Sequence, residues 1–195
     1  NEAYFAHTAG LKVVCAATPE DGYWMMQQAI ASDDPVVFYE PKRRYHEKGE
    51  VEFSTDGQAT TDLHASRIVK EGSDVTLVTY GPMVKTCMQA AAAAAEEGRS
   101  LEVIDLRTLN PLDLAPVVES VKKTGRVVVV HEAPTFLGMG SEIAAQVTEK
   151  CFYHLEAPVA RCGGYNIPYP PSRFEEEYLP NLDRILFHVD EVLAH

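Results

Sequence analysis

Basic residues are scarce in this 195-residue sequence: 17 Lys and Arg stand against 29 Asp and Glu, a formal net charge of −12. That deficit argues against nucleic acid or an anionic membrane as the main partner, and it suits a basic protein surface. No run approaches the roughly 20 apolar residues of a membrane-spanning helix. Cysteine is sparse too. Cys15, Cys87, Cys151 and Cys162 show neither C-x-x-C spacing nor the density of a disulfide framework, so they read as buried free thiols in a reducing compartment. The chain opens NEAYFAHTAG with no initiator Met and no basic-then-apolar leader, and it reads as a fragment of something longer. Neither a full dinucleotide fingerprint, a phosphate loop, a metal-ligand cluster nor an ordered Ser-His-Asp set stands out.

With 46% hydrophobic and 24% charged residues the chain has the composition of a globular protein. Its organising stretch is Leu101 to Pro134. Leu101–Leu106 reads as a strand, Asp113 as a helix N-cap, and Leu114, Val117, Val118 and Val121 as the apolar face of the helix that follows. Lys122 and Lys123 suit the negative helix end, and Gly125 the position just past it. Val127–Val130 is apolar on both faces, as in a parallel strand covered by helices. It ends at His131-Glu132, where such a strand delivers polar residues to a loop.

Before this stretch, Leu11–Ala16 and Val36–Glu40 read as strands flanking a helix opened by Thr18-Pro19-Glu20-Asp21. Apolar periodicity then stops from Pro41 to Arg67, a polar, turn-rich segment with room for one short strand. A compact unit begins near Arg67. Strands are expected at Ser73–Tyr80, Leu101–Leu106, Val127–Val130 and Ala157–Cys162, alternating with helices, the last of them capped by Asp183. Four strands in that arrangement give an open, three-layer α/β domain.

Several residues could carry chemistry. His131 and Glu132 could form an acid/base pair, but neighbours in an extended segment point to opposite faces, which favours separate structural roles. Arg107 could clamp a carboxylate or fasten the loop Thr108 to Pro111. The Gly138-x-Gly140 turn could present N–H groups to an anion. A tight turn with close packing is the weightier reading, because Ile143 fills the third fingerprint position. Physics alone stops at a subunit or partner domain of an α/β enzyme.

The motifs AHTAGLKVV, DPVVFYEPKRRYH, EGSDVTLVTYG, EVIDLRTLNPLD, KTGRVVVVHEAP and YHLEAP…CGGYNIPYPP follow one another along the whole chain. Together they resemble the beta subunit of thiamine-diphosphate-dependent 2-oxo acid dehydrogenases. The branched-chain (3-methyl-2-oxobutanoate) enzymes are the nearest relatives and the pyruvate enzymes come next. Deoxyxylulose-phosphate synthases share the IDLR and PLD motifs but fit FYEPKRRY and CGGYNIPYPP less well. The resemblance implies the tail of a pyrimidine-binding domain over residues 1–48 and a linker over 49–66. Residues 67–195 would then form a transketolase C-terminal-type domain with an open, mostly parallel sheet.

It also implies thiamine diphosphate as cofactor of the assembled enzyme, with magnesium held through the alpha subunit. The family's cofactor-binding Glu and catalytic His fall upstream of Asn1, so no catalytic or cofactor-binding residue is assigned in this chain. His7 matches a later His of that segment and is expected to pack. A structural potassium ion maps onto Ala29, Ser32 and Asp34, although Ser32 departs from the acid or amide of relatives. The alternative is that Asp34 simply ends a helix before Pro35. Implied partners are an alpha subunit, a second beta subunit and the basic peripheral subunit-binding domain of a dihydrolipoyl acyltransferase. The implied setting is a bacterial cytoplasm or a mitochondrial matrix. In that assembly Arg107, His131 and Glu132 would be interface or loop-fastening residues. A non-catalytic α/β dimerisation module is the remaining alternative.

Overall fold

A computed structural model describes residues 2–54 and 57–195. The chain begins with a short helix α1 (Glu2–Ala6), then β1 (Lys12–Cys15), α2 (Pro19–Ile30) and β2 (Val36–Tyr39). Thr18 caps α2 reciprocally: its hydroxyl accepts from the Asp21 N–H, and the Asp21 carboxylate accepts from the Thr18 N–H. Next come β3 (Arg67–Lys70), β4 (Val75–Thr79), α3 (Met83–Glu96), β5 (Leu101–Asp105) and β6 (Thr108–Asn110). The chain closes with α4 (Ala115–Thr124), β7 (Val127–Pro134), α5 (Met139–Cys151), β8 (Ala160–Gly164), α6 (Glu175–Tyr178) and α7 (Leu182–Leu193).

Two sheets result. The larger runs β3-β5-β4-β7-β8, all parallel except β3, which pairs antiparallel with β5 at one edge. Side chains alternate across it as the strand period requires. Val128 and Val130 of β7 pack with α3 and α7 through Met83, Cys87, Ile185 and Val189. Val127 and Val129 pack with α4 and α5 through Val117, Val121, Ile143 and Val147. Helices therefore cover both faces, giving the three-layer α/β arrangement. The smaller sheet, β2-β1-β6, carries Val13 and Cys15 into the same core as α4 and α5.

Several local expectations change. The large sheet has a fifth strand, β3, because Arg67–Lys70 pairs along β5 although its residues alternate only weakly in polarity. Thr108–Asn110, expected as loop, is strand β6: it leaves the large sheet and pairs antiparallel with β1. Tertiary pairing overrides the short local signal there. Asp113 stands one residue before the cap position, which Leu114 fills, yet its carboxylate accepts from the Ala115 N–H at 3.1 Å. The last helix is capped by Asn181, not Asp183, through a bond from the Arg184 N–H. Gly125 does end α4, in the left-handed region at φ 66°. All four cysteines are buried and free.

The polar segment before β3 lies against α2. Trp24 Nε1 donates to the Glu52 carbonyl at 2.9 Å, and Gln28 Nε2 to the Thr61 carbonyl at 3.1 Å. Ser66 is bonded to Asp113 through both its backbone N–H and its hydroxyl.

Candidate functional site

The carboxyl ends of β1 and β2 in the small sheet and of β4 and β7 in the large one open on a common cleft. A cavity of about 230 Å³ lies there, lined by Cys15, Tyr39, Glu40, Tyr80 and Glu132, with Glu2 and Lys42 at its side. Such strand ends are where open α/β sheets bind ligands. Its polar groups are mostly committed to one another. Tyr80 donates to a Glu2 carboxylate oxygen at 2.7 Å, Tyr45 to Glu40 at 2.7 Å, and Arg43 pairs with Glu132 at 3.0 Å.

Burial pushes the Tyr80 hydroxyl well above the ordinary phenol range, with the Glu2 charge next in effect. Burial likewise carries Tyr39 up to about 12 and raises the Cys15 thiol. These groups stay protonated at neutral pH, so the cleft holds no activated nucleophile. The Glu132 carboxyl is raised by burial and drawn back by Arg43. The Tyr39 hydroxyl is buried and makes no hydrogen bond among the described residues. Glu2, Glu40 and Glu132 face the cleft against Lys42 and Arg43, and with each acid bonded to a neighbour the residues present offer no ready-made cradle for thiamine diphosphate.

His131 and Glu132 do point apart. Glu132 reaches Arg43, whereas His131 is 0% exposed on the α5 face of β7. Its Nδ1 shares a hydrogen with the Ala133 carbonyl at 2.9 Å, and its ring stacks on Tyr80 at 6.2 Å between centroids. Since a carbonyl can only accept, Nδ1 carries the proton and Nε2 is left as a buried acceptor without a partner among the described residues. Burial holds this imidazole below the ordinary histidine range. Gly138 and Gly140 make room for it: a Cβ on either would come within 2.9 Å of a ring carbon. The glycine turn is a packing device around His131.

Arg107 is 2% exposed and adopts the left-handed region at φ 57°. Its Nη1 donates to the Asp62 and Ala65 carbonyls at 2.8 and 3.0 Å, and its Nε to Asp21 at 3.4 Å. It therefore fastens residues 62–65, not the Thr108 to Pro111 segment. Around it lie Asp21, Arg67 and Asp105, none of which the sequence singles out as a site. Asp21 is readable in advance only as a capping acid three residues after Thr18. Asp105 carries a clearer signal, a charge at the end of an apolar strand, because buried charges come with partners.

Ala29, Ser32 and Asp34 sit at the end of α2 and just beyond. The Ala29 carbonyl accepts from the Ala31 and Ser32 N–H groups, and the Ser32 hydroxyl oxygen accepts from the Asp34 N–H at 3.2 Å. The Asp34 carboxylate pairs with Lys12 at 2.9 Å. The Ala29 carbonyl and the Ser32 hydroxyl each accept an internal N–H, and Lys12 takes one Asp34 carboxylate oxygen and supplies a positive charge where potassium would be wanted. The trio as arranged does not fit a cation cage. His7, expected to pack, is exposed beyond the end of α1, whose Phe5 and Ala6 take the core side instead.

The model of the transketolase C-terminal domain matches residues 64–185, more than half of the chain. The chain belongs to this family. Three similar relatives extend the likeness beyond that domain. The pyruvate dehydrogenase E1 component subunit beta of Leifsonia xyli is 58% identical over 100% of this chain and 57% of its own length. The 3-methyl-2-oxobutanoate dehydrogenase subunit beta of Mycobacterium tuberculosis is 48% identical over 98% of this chain and 55% of its own. The mitochondrial 2-oxoisovalerate dehydrogenase subunit beta of Dictyostelium discoideum is 47% identical over 92% and 48%. The chain thus spans about half the length of the curated relatives it matches. Among solved structures, a split-gene transketolase in an inactive beta4 tetramer superposes with a TM-score of 0.77 over 99% of this chain and 60% of that one. At 24% identity that likeness speaks for the fold alone.

Proposed function

We propose that this transketolase C-terminal family member is part of the beta subunit of a 2-oxo acid dehydrogenase, supplying assembly and docking surface and no reacting group. In the whole enzyme the reaction would be oxidative decarboxylation of a branched-chain 2-oxo acid and transfer of the acyl group to a lipoyl arm. Thiamine diphosphate would be bound by the assembled alpha and beta subunits, with magnesium held by alpha. Among the described residues no group of three or more His, Cys, Asp or Glu side chains is placed to hold a metal.

The observation that carries this reading is the cleft at the strand ends. Glu2 is bonded to Tyr80, Glu40 to Tyr45 and Glu132 to Arg43, and the cleft's thiol and phenols are held protonated. That is the chemistry of a fixed shoulder between parts of a larger assembly. We assign residues 1–48 to the tail of the pyrimidine-binding domain, 49–66 to the connection and 67–195 to the C-terminal domain. The partners would be an alpha subunit, a second beta subunit and the acyltransferase's basic peripheral domain, to which a chain of net charge −12 is complementary. No described helix is long and apolar enough to cross a membrane. A bacterial cytoplasm or mitochondrial matrix is the setting we propose.

Pyruvate is the second reading of the substrate, favoured by the 58% identity to a pyruvate enzyme's subunit. The full-length beta subunit, co-expressed with its alpha subunit, should copurify with it and decarboxylate 3-methyl-2-oxobutanoate faster than pyruvate. The reverse preference selects the second reading, and failure to copurify rejects the assembly role.

A further inference from the structure

Four buried or half-buried charged groups meet where the two sheets join. Asp21 lies in the first turn of α2, Arg67 opens β3, Asp105 ends β5 and Arg107 follows in the turn to β6. Asp21 and Asp105 are 1% and 0% exposed. Arg67 Nη2 stands 3.1 Å from one Asp21 oxygen and 3.5 Å from one Asp105 oxygen, so acids from the two halves share a single nitrogen.

The sharing is unequal. Asp21 also accepts from Arg107 Nε, from the Ala17 and Thr18 N–H groups and from the Thr18 hydroxyl. Asp105 has, besides its longer contact to Arg67, one bond from the Arg107 backbone N–H at 3.0 Å. The Arg107 side chain turns away, its Nη1 held by the Asp62 and Ala65 carbonyls. When two buried acids compete for donors, the one with fewer holds its proton. The other titratable groups coupled to Asp105 are Cys15 of β1 and Cys87 of α3, both raised by burial and therefore neutral.

We propose that these four residues form a proton-linked latch between the sheets: Asp105 holds a proton while α2 is docked and releases it when α2 withdraws. Burial, and next the Asp21 charge, push the docked Asp105 carboxyl up to about 7. With α2 withdrawn, water and an undivided Arg67 return it toward the ordinary value of about 4. The docked form then binds more protons between those limits. Docking is tightest at the acid end, weakens as pH rises towards 7 and is independent of pH above that.

Hydrogen exchange followed by mass spectrometry on the full-length subunit in its complex tests this, with rates corrected for intrinsic base catalysis. Peptides from the first turn of α2 and from residues 60–66 should open about tenfold more readily at about pH 6.5 than at about pH 5.5, and show no further change above about pH 8. Asp105→Asn should abolish the slope. Asp21→Asn should also remove it from this range, which keeps the test available if the first variant does not fold. A flat wild-type profile overturns the latch, as does an undiminished slope in either folded variant.

Discussion

The imidazole of His131 occupies the space that a side chain at position 140 would need. A Cβ on Gly140 would come within 2.9 Å of His131 Cδ2 and nearer still to Nε2. Gly140 sits in the first turn of α5, where alanine would otherwise favour the helix by about 1 kcal/mol. Gly140→Ala should nevertheless destabilise the protein, because overpacking costs about 1–3 kcal/mol. Denaturant unfolding of Gly140→Ala, alone and combined with His131→Ala, measures it. The double variant should lose less than the sum of the singles. Simple additivity would mean that the ring and the glycine do not compete for space.

Protonation of His131 opposes folding. Its folded value is held below the ordinary one by burial, so the unfolded chain, titrating near about 6.5, binds the proton first as pH falls. Stability from this group is therefore complete above about pH 6.5 and is lost on acidification below it. Asp105 works in the opposite direction over much of the same range. His131→Phe should remove the histidine contribution and leave stability falling as pH rises from about 5 to 7. Chemical denaturation at a series of pH values reads the difference. Unchanged wild-type pH dependence in the variant would contradict the assignment.

Arg107 joins the halves from a left-handed backbone position. Arg107→Ala removes two bonds to the 62–65 carbonyls and the contact to Asp21, which keeps Arg67 as its remaining guanidinium partner. Breaking a buried charge set in this way costs about 3–5 kcal/mol. Arg107→Gly relaxes the backbone but restores no charge, so it should remain nearly as unstable. Recovery of most of the stability by glycine would show that backbone strain, not the guanidinium, governs the position.

Potassium should have no specific effect on this chain. The Ala29 carbonyl and the Ser32 hydroxyl have internal donors, and Lys12 pairs with one Asp34 carboxylate oxygen. Melting temperatures in potassium and sodium chloride at equal ionic strength should coincide. Lys12→Met, which removes a partly exposed pair, should cost no more than about 1 kcal/mol. A selective rise in melting temperature with potassium would restore the cation site.

Much of the fold could be read from sequence where the pattern was long and apolar. The valines of β7 and the helix period of α4 are examples, because burial on two faces or along one stripe leaves a direct imprint. Strands β3 and β6 could not be read in this way. Arg67–Lys70 and Thr108–Asn110 are short, and partners distant in sequence, β5 and β1, make them strands. The same limit applies to the site. The opposed directions of His131 and Glu132 follow from strand geometry, whereas the meeting of Asp21 with Arg67 and Arg107 depends on how two sheets dock. Thr18-Pro19-Glu20-Asp21 announces a capped helix and nothing of the cluster it joins.

Thiamine diphosphate titrated calorimetrically in the presence of magnesium, first into this 195-residue chain and then into the assembled full-length alpha and beta subunits, tests the central claim most directly. Saturable binding to the assembly and none to the chain alone is the predicted result. Saturable binding to the chain alone would contradict an assembly role and return the cleft at the strand ends to the position of a cofactor site.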